Sequence, residues 1–466
     1  MTSKTESSVP PYFESLKSSD LEERAKAWLT LAKDDIVFYG HLFRELKGYF
    51  LELLESGDPC VAVTAWNAAS RALELREITK SELRARRRHL LETLKAWVFS
   101  TNAPKCRDLS LRAQECCDCL AHLLREGVVS KEELARAFSP FLSFPDYKVR
   151  LEKWEDLFLF LSGCEDDSSA ETVKDALKGL GEHYRELLKA YDHEVRLGAW
   201  EWLDEGVVGD SSGLIPYFLE LLSSPDLKVR AEAWGEAARM WKDGLIPREE
   251  LDKRSQLFLE VLLSGDAKAI GNLLDSPALA EYLRGLKPGA FVEAFVKGLS
   301  SANHLVRATF WYYVGEYLDL LPADNIRERF DVFLEVLGSP YLEARLTAWK
   351  AALDMLEDER LEGLVKKEEI AKRKGELVEL LEAFDPEVRA EAWYYACKSL
   401  KGRSPILERT ELASRLDRLL EIRYSSSFSN GDVKDAFFEA LYCLEEIGII
   451  DSATVDKVLS EVGELE

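Results

Sequence analysis

Asp385-Pro-Glu-Val388-Arg389-Ala-Glu-Ala-Trp393 is the clearest of eleven copies of one pattern: an acid or amide, Val-Arg three and four residues on, and a large residue at the eighth. Asp146–Val149–Arg150–Trp154, Asp192–Val195–Arg196–Trp200 and Asp226–Val229–Arg230–Trp234 keep every position. Looser copies start at Asp20, Asp58, Asp108, Asp266, Asn303, Tyr341 and Asn430. They carry Trp28, Trp66, Cys116, Leu274, Trp311, Trp349 and Phe438 at the last position. Those last positions follow one another at 34 to 50 residues, room for two helices and two turns each. A motif returning at this period predicts a stacked array of helix pairs.

Each position has a physical reason. The Asp is placed to cap a helix, its carboxylate accepting free N–H groups of the first turn. After Asp385, Val388, Ala392, Trp393, Ala396 and Leu400 fall on one face at helical period. The arginine lies one turn from both Asp and Trp, which predicts a local role: pairing with the first and stacking on the second. The connectors repeat too. Gly127, Gly244 and Gly363 each follow a signature helix and precede paired acids, as a left-handed glycine cap and a new helix start require. Ser130 and Glu133 have capping-box spacing, and Pro247 suits the first helical position. The reading is helix A, short turn, capped helix B, glycine turn.

The recurring Asp and Val-Arg pair resembles the HEAT repeat family, in which they mark the second helix of each antiparallel pair. The resemblance runs over nearly the whole chain, from about Pro11 to Glu466. It implies an all-α fold, a right-handed superhelical α-solenoid of about eleven antiparallel helix pairs, with binding along the inner surface lined by B helices. It implies no particular activity. The tryptophan departs from the family, which more often has a smaller residue there, and predicts a bulkier core between repeats.

Length alone, 466 residues, would suggest several domains, but repeats that touch only their neighbours predict one solenoid over 11–466. Residues 1–10 read as a polar, disordered tail. The stretches Ser162–Ala170 and Arg423–Asp432 read as short insertions between repeats. A further helix is expected over Asp451–Val462. No apolar run approaches the ~18–20 residues of a membrane span and no signal peptide is apparent, so a soluble, cytoplasmic protein is expected. Two Gln, six Asn and three Met beside abundant Glu, Lys and Arg resemble a hyperthermophile's composition. Eight cysteines run against that trend.

The charge, 85 acids against 61 bases for a net −24, repels a phosphate backbone and disfavours nucleic acid without excluding it. Basic residues gather at Lys80, Arg84, Arg86, Arg87 and Arg88, and again at Lys366, Lys367, Lys372, Arg373 and Lys374. They either hold an acidic partner or form solvated faces balanced by neighbouring Glu, the reading preferred here. Cys106, Cys116, Cys117 and Cys119, with His122 nearby, admit three readings. They pack in a core, bind a metal, or form a disulfide, for which Cys60 one repeat earlier is a candidate; packing is favoured because Cys116 holds the tryptophan position. Eight of the eleven tryptophans share one repeat position beside Val and Ala and belong in a core rather than on a stacking platform. Trp202, two residues from Trp200, must point elsewhere and is the better surface contact.

Enzymatic readings lack residues. One His-Glu pair, His193-Glu194, is present where helical-repeat hydroxylases carry several, and six histidines are scattered along the chain. No phosphate loop, nucleophile elbow or His-x-x-x-His pair occurs. The expectation is a non-catalytic protein-binding scaffold or adaptor without a cofactor. Its contacts would include Arg84, Arg87, Arg88, Trp202, Lys372 and Arg373, and an acidic inner face would favour a basic protein partner. The alternative is a nucleic-acid-associated protein such as a HEAT-like DNA glycosylase.

Overall fold

The computed structural model describes residues 11–99, 109–164, 166–285 and 289–465. The tail read over residues 1–10, together with Cys106 and Asp108, lies outside them. The chain is an all-α solenoid, and among the described residues the only β-type pairing is an isolated bridge between Glu362 and Val365. It divides into two compact bodies, Met1–Phe218 and Leu219–Glu466. In the first, B helices Leu21–Thr30, Pro59–Glu74 and Leu109–Arg125 pack in succession, and Tyr147–Ser162 packs on His193–Glu201. In the second, Leu227–Lys242, Ala267–Leu274, His304–Tyr312, Leu342–Glu357, Pro386–Lys401 and Gly431–Glu446 do the same. Within each body the B helices bury apolar residues against their neighbours, so successive repeats there share a core.

The caps form as the motif demands. Asp20, Asp58, Asp146, Asp192 and Asp226 each accept two backbone N–H bonds of the first turn, as does Asn303. A second device was not read from the sequence: a serine two residues earlier. Ser18, Ser56, Ser224, Ser264, Ser301 and Ser339 accept the N–H of the cap residue itself at 3.1–3.3 Å. Tyr341, which cannot cap, keeps this serine bond. Truncating the cap in Asp226→Ala, which frees the N–H groups of Lys228 and Val229, is expected to cost about 1 kcal/mol in urea unfolding. Asp226→Asn should recover most of it.

The tryptophan has two roles. All eight signature tryptophans are at most 1% exposed. In seven of them the indole Nε1–H donates to the backbone carbonyl twelve residues earlier, always a leucine. Trp154 reaches Leu142 at 3.0 Å, Trp349 reaches Leu337 at 3.1 Å and Trp393 reaches Leu381 at 3.0 Å. Trp28, Trp66, Trp200 and Trp311 repeat the bond to Leu16, Leu54, Leu188 and Leu299. Leu142, Leu337 and Leu381 are the last residues of their A helices, whose final carbonyls have no partner within the helix. Trp234 alone has no partner for its indole N–H among the described residues. Five of the rings, those of Trp28, Trp154, Trp200, Trp234 and Trp311, also face forward, onto an aromatic residue of the following A helix. Trp154 meets Tyr184 edge-on at 5.1 Å, Trp234 meets Phe258 at 5.6 Å and Trp311 meets Phe333 at 4.8 Å.

The signature arginine does not act locally as the sequence suggested. Its Nε–H donates to the carbonyl six residues earlier: Arg150 to Phe144, Arg196 to Ala190, Arg230 to Ser224, Arg307 to Ser301 and Arg345 to Ser339, all at 2.6–2.8 Å. Its Nη1 then reaches the next repeat. Arg150 meets Glu186, Arg230 meets Glu260, Arg345 meets Glu379, and Arg389 lies 3.9 Å from Glu421. Arg196 bonds the Tyr217 carbonyl, and Arg307 bonds both the Val332 carbonyl and Glu335. The capping Asp is already occupied by backbone N–H groups, so the guanidinium turns to unpaired carbonyls. Arginine tolerates such burial because it spreads its charge and offers five donors.

The glycines behave as predicted: Gly127, Gly244 and Gly363 have φ of 67°, 78° and 81°, a region that side chains rarely adopt. The Ser130–Glu133 capping box forms. Pro247 sits at the N-cap rather than one residue inside the helix, and the final helix runs over Ser452–Leu465.

Candidate functional site

In six repeats helix B has sixteen residues, as in Leu227–Lys242, Leu342–Glu357 and Pro386–Lys401. Others are shorter: His193–Glu201 in the first body has nine residues, and in the second body two successive ones stop short. Ala267–Leu274 has eight residues and gives way at Asp275–Ser276 to a second segment, Pro277–Arg284; His304–Tyr312 has nine and runs into turns. The first of these is the most degenerate copy of the motif, with Leu274 where tryptophan is expected. Leu274 is buried, and its free carbonyl accepts the Tyr317 hydroxyl of the next repeat at 3.0 Å. The missing turns leave a cleft of about 400 Å³ within the second body, lined by Asp275, Tyr312, Tyr313, Asp354, Asp358 and Lys398 among others. A second hollow of about 270 Å³ shares Asp275, Tyr312 and Tyr313 with it and continues along the B helices to Asn272, Thr347 and Lys350.

The wall between the hollows is a tyrosine cluster. The Tyr313 hydroxyl donates to Asp275 Oδ1 at 3.3 Å. The Tyr395 hydroxyl hydrogen-bonds that of Tyr312. Lys350 and Lys398 lie 5.1 and 5.5 Å from the Tyr395 ring centroid, one repeat apart from each other, within cation–π range. Burial, followed by the nearby carboxylates, pushes the Tyr313 hydroxyl well above the ordinary range, and Tyr312 and Tyr395 shift the same way. All three therefore stay protonated at any physiological pH. They present π faces and neutral hydroxyls, with no phenolate to act as a base.

The rim is charged. Arg360 donates to both oxygens of Asp358 and to the Gly315 carbonyl at 3.0 Å. That bond holds the Asp358 carboxyl below its usual range, and nearby burial opposes the shift. Lys398 lies 3.4 Å from Asp354. Four carboxylates (Asp275, Glu316, Asp354 and Asp358) line the cleft against two cations, Arg360 and Lys398. No histidine or cysteine lines it. Its one serine, Ser276, is engaged as a helix cap, accepting from the Leu279 N–H.

The residues singled out in sequence lie elsewhere. Arg84 donates to the Gly127 carbonyl at 2.9 Å, and Arg87 pairs with Glu133 at 2.6 Å. Lys372 pairs with Glu369 and Arg373 with Glu376. Arg88 is exposed, and Trp202 is 37% exposed. Both basic clusters mark a recurring break in helix A. Lys80–Arg84 gives way to Arg87–Phe99, Lys367–Ala371 to Lys374–Leu381, and two more A helices break alike. At the break an arginine fills the space, donating to the carbonyl four residues back: Arg86 to Glu82, Arg254 to Glu250 and Arg415 to Glu411. The clusters are thus part of the repeat's own geometry.

The cysteines divide. Cys117 is joined to Cys164 with Cα atoms 5.4 Å apart, linking one repeat to the next, and Cys60 is also disulfide-bonded. Packing, the favoured reading, therefore fails for Cys117. It describes Cys116 and Cys119, both of which are buried. Burial pushes the Cys116 thiol up to about 12, and Cys119 donates to the Trp66 carbonyl. Among the described residues no group of three or more His, Cys, Asp or Glu is arranged to hold a metal ion, and no helix is long and apolar enough to cross a membrane.

No family model matches the chain, and no curated protein matches it. Solved structures that match include the karyopherin Kap121p bound to the extreme C-terminus of the protein phosphatase Cdc14p, at 13% identity and a TM-score of 0.41, covering 94% of this chain and 45% of that one. Kap121p bound to the SUMO protease Ulp1p matches at 12% identity and 0.39, over 93% and 48% of the two chains. Kap121p bound to Ste12p matches at 12% and 0.37, over 97% and 54%. The chain spans about half the length of these structures.

Proposed function

We propose that this chain is a HEAT-like, non-catalytic scaffold of the cytoplasm that grips a protein partner on the face lined by its B helices. The cleft at Asp275, Tyr312, Tyr313 and Asp354 is its principal grip. The observation that carries the reading is the shortening of two successive B helices of the second body beside a tyrosine-walled hollow. Neutral tyrosines and an excess of carboxylates suit the ammonium or guanidinium groups of a basic segment. They do not suit a phosphate backbone, and the basic clusters that would have served nucleic acid are engaged by neighbouring acids and carbonyls.

The test compares the wild type with Tyr312→Ala/Asp354→Lys as bait in nuclease-treated native lysate. A protein retained at fixed stoichiometry by the wild type and lost from the variant is the expected result. Equal retention by both baits would remove the cleft from the reading. Tight, salt-sensitive binding of a fluorescent DNA duplex at near-physiological salt would overturn the scaffold itself.

A further inference from the structure

The bond between Cys117 and Cys164 spans 47 residues, about one repeat. A second pair has nearly the same spacing, 46 residues. Cys397 lies on helix Pro386–Lys401 and Cys443 on the adjacent helix Gly431–Glu446, and these two helices pack directly together. Both thiols are free, 0% and 5% exposed, and each is the group that most strongly shifts the other's ionisation, as two sulfurs do only at close range. One turn beyond each, Lys401 and Glu446 form an ion pair at the surface. Buried cysteines that merely fill space have no need to meet each other across a repeat boundary.

We propose that Cys397 and Cys443 are a latent disulfide, closed by hydroperoxide-class oxidants, that staples the B helices of two adjacent repeats. This stands independently of what the cleft binds. Cys443 is the attacking group because it is the more accessible of the two. The neighbouring Cys397 S–H and the Lys401 ammonium favour its thiolate, burial and to a lesser degree Glu446 oppose it, and the net direction is below the usual thiol range. The Cys443 thiolate attacks one peroxide oxygen; the S–O bond forms, the O–O bond breaks, and hydroxide leaves as water after taking up a proton. Cys443 is now a sulfenic acid and the peroxide has been reduced. Cys397 sulfur then attacks Cys443 sulfur, the S–S bond forms, the S–O bond breaks, and a second water carries away the oxygen and the Cys397 proton. Two thiols and one peroxide yield one disulfide and two waters.

The experiment treats the folded wild-type protein with dilute hydrogen peroxide, blocks remaining thiols, and maps non-reduced peptides by mass spectrometry. A peptide joining Cys397 to Cys443 is expected, with a rise of several degrees in Tm that a thiol reductant reverses for this bond. Cys397→Ser should lose the cross-link and accumulate a Cys443 sulfenic acid trappable by dimedone. Since the mapping uses the wild type, a poorly folded variant does not weaken it. Recovery of both residues as free thiols after oxidant treatment would overturn the proposal. So would over-oxidation of Cys443 with no cross-linked peptide.

Discussion

Trp154→Ala is expected to lower stability by about 3–5 kcal/mol, the range for emptying a large aromatic site in a packed core. The ring is 0% exposed and packs against Tyr184 of the next helix A, and its removal also leaves the Leu142 carbonyl without a donor. Volume and hydrogen bond can be separated. Trp154→Phe keeps most of the apolar surface but loses the bond, whose net worth is about 1 kcal/mol. Trp234 supplies the control, since its buried indole N–H makes no such bond. Urea unfolding should therefore show Trp154→Phe to be more destabilising than Trp234→Phe by about 1 kcal/mol. Equal losses would mean that the tryptophan is selected for bulk alone.

Arg307→Ala should cost about 2–3 kcal/mol, the next largest effect, since charge-assisted bonds to backbone are the stronger kind and two part-buried carbonyls are left without their donor. Its side chain is 8% exposed and serves the carbonyls of Ser301 and Val332 as well as Glu335. Glu335 is 65% exposed, so Glu335→Gln should cost under about 0.5 kcal/mol. Added salt should change the first loss little, because the two carbonyl acceptors carry no net charge to screen and the bonds are part-buried. A large effect of Glu335→Gln, or a loss that salt removes, would make the ion pair the linking device instead.

What could be read along the chain was whatever lies within a turn or two of sequence. The Asp cap, the glycine connectors, the Ser130–Glu133 box and the apolar stripe all act over a few residues, and each formed where the spacing placed it. The arginine was misread for the same reason. Its partners within a turn were visible, but its true acceptors lie six residues back across a turn and about thirty residues forward on the next repeat. The serine two residues before six of the motif starts was present in the sequence, four times as Ser-x-Asp, and could have been found by extending the motif two residues upstream. The basic clusters were legible as faces balanced by neighbouring Glu, as the pairs of Arg87 with Glu133 and Lys372 with Glu369 are, but the break in helix A that organises them has no single-residue signal; the arginine returning at Arg86, Arg254 and Arg415 is its nearest trace.

The sequence by itself determined that this chain is an array of capped helix pairs with tryptophan in its core, because helix period, caps and turn glycines are local physics repeated many times. Its weakest copy of the motif, at Asp266–Leu274, also marked where the array is interrupted. Only the tertiary structure decided what that interruption makes. Tyr312, Tyr313, Asp354, Tyr395 and Lys398 lie on three repeats, and no spacing rule joins them. The same holds for Cys117 with Cys164, and for Cys397 with Cys443. A solenoid brings residues about one repeat apart side by side, so its sites are assembled by stacking, the one step that the spacing within a single repeat does not encode.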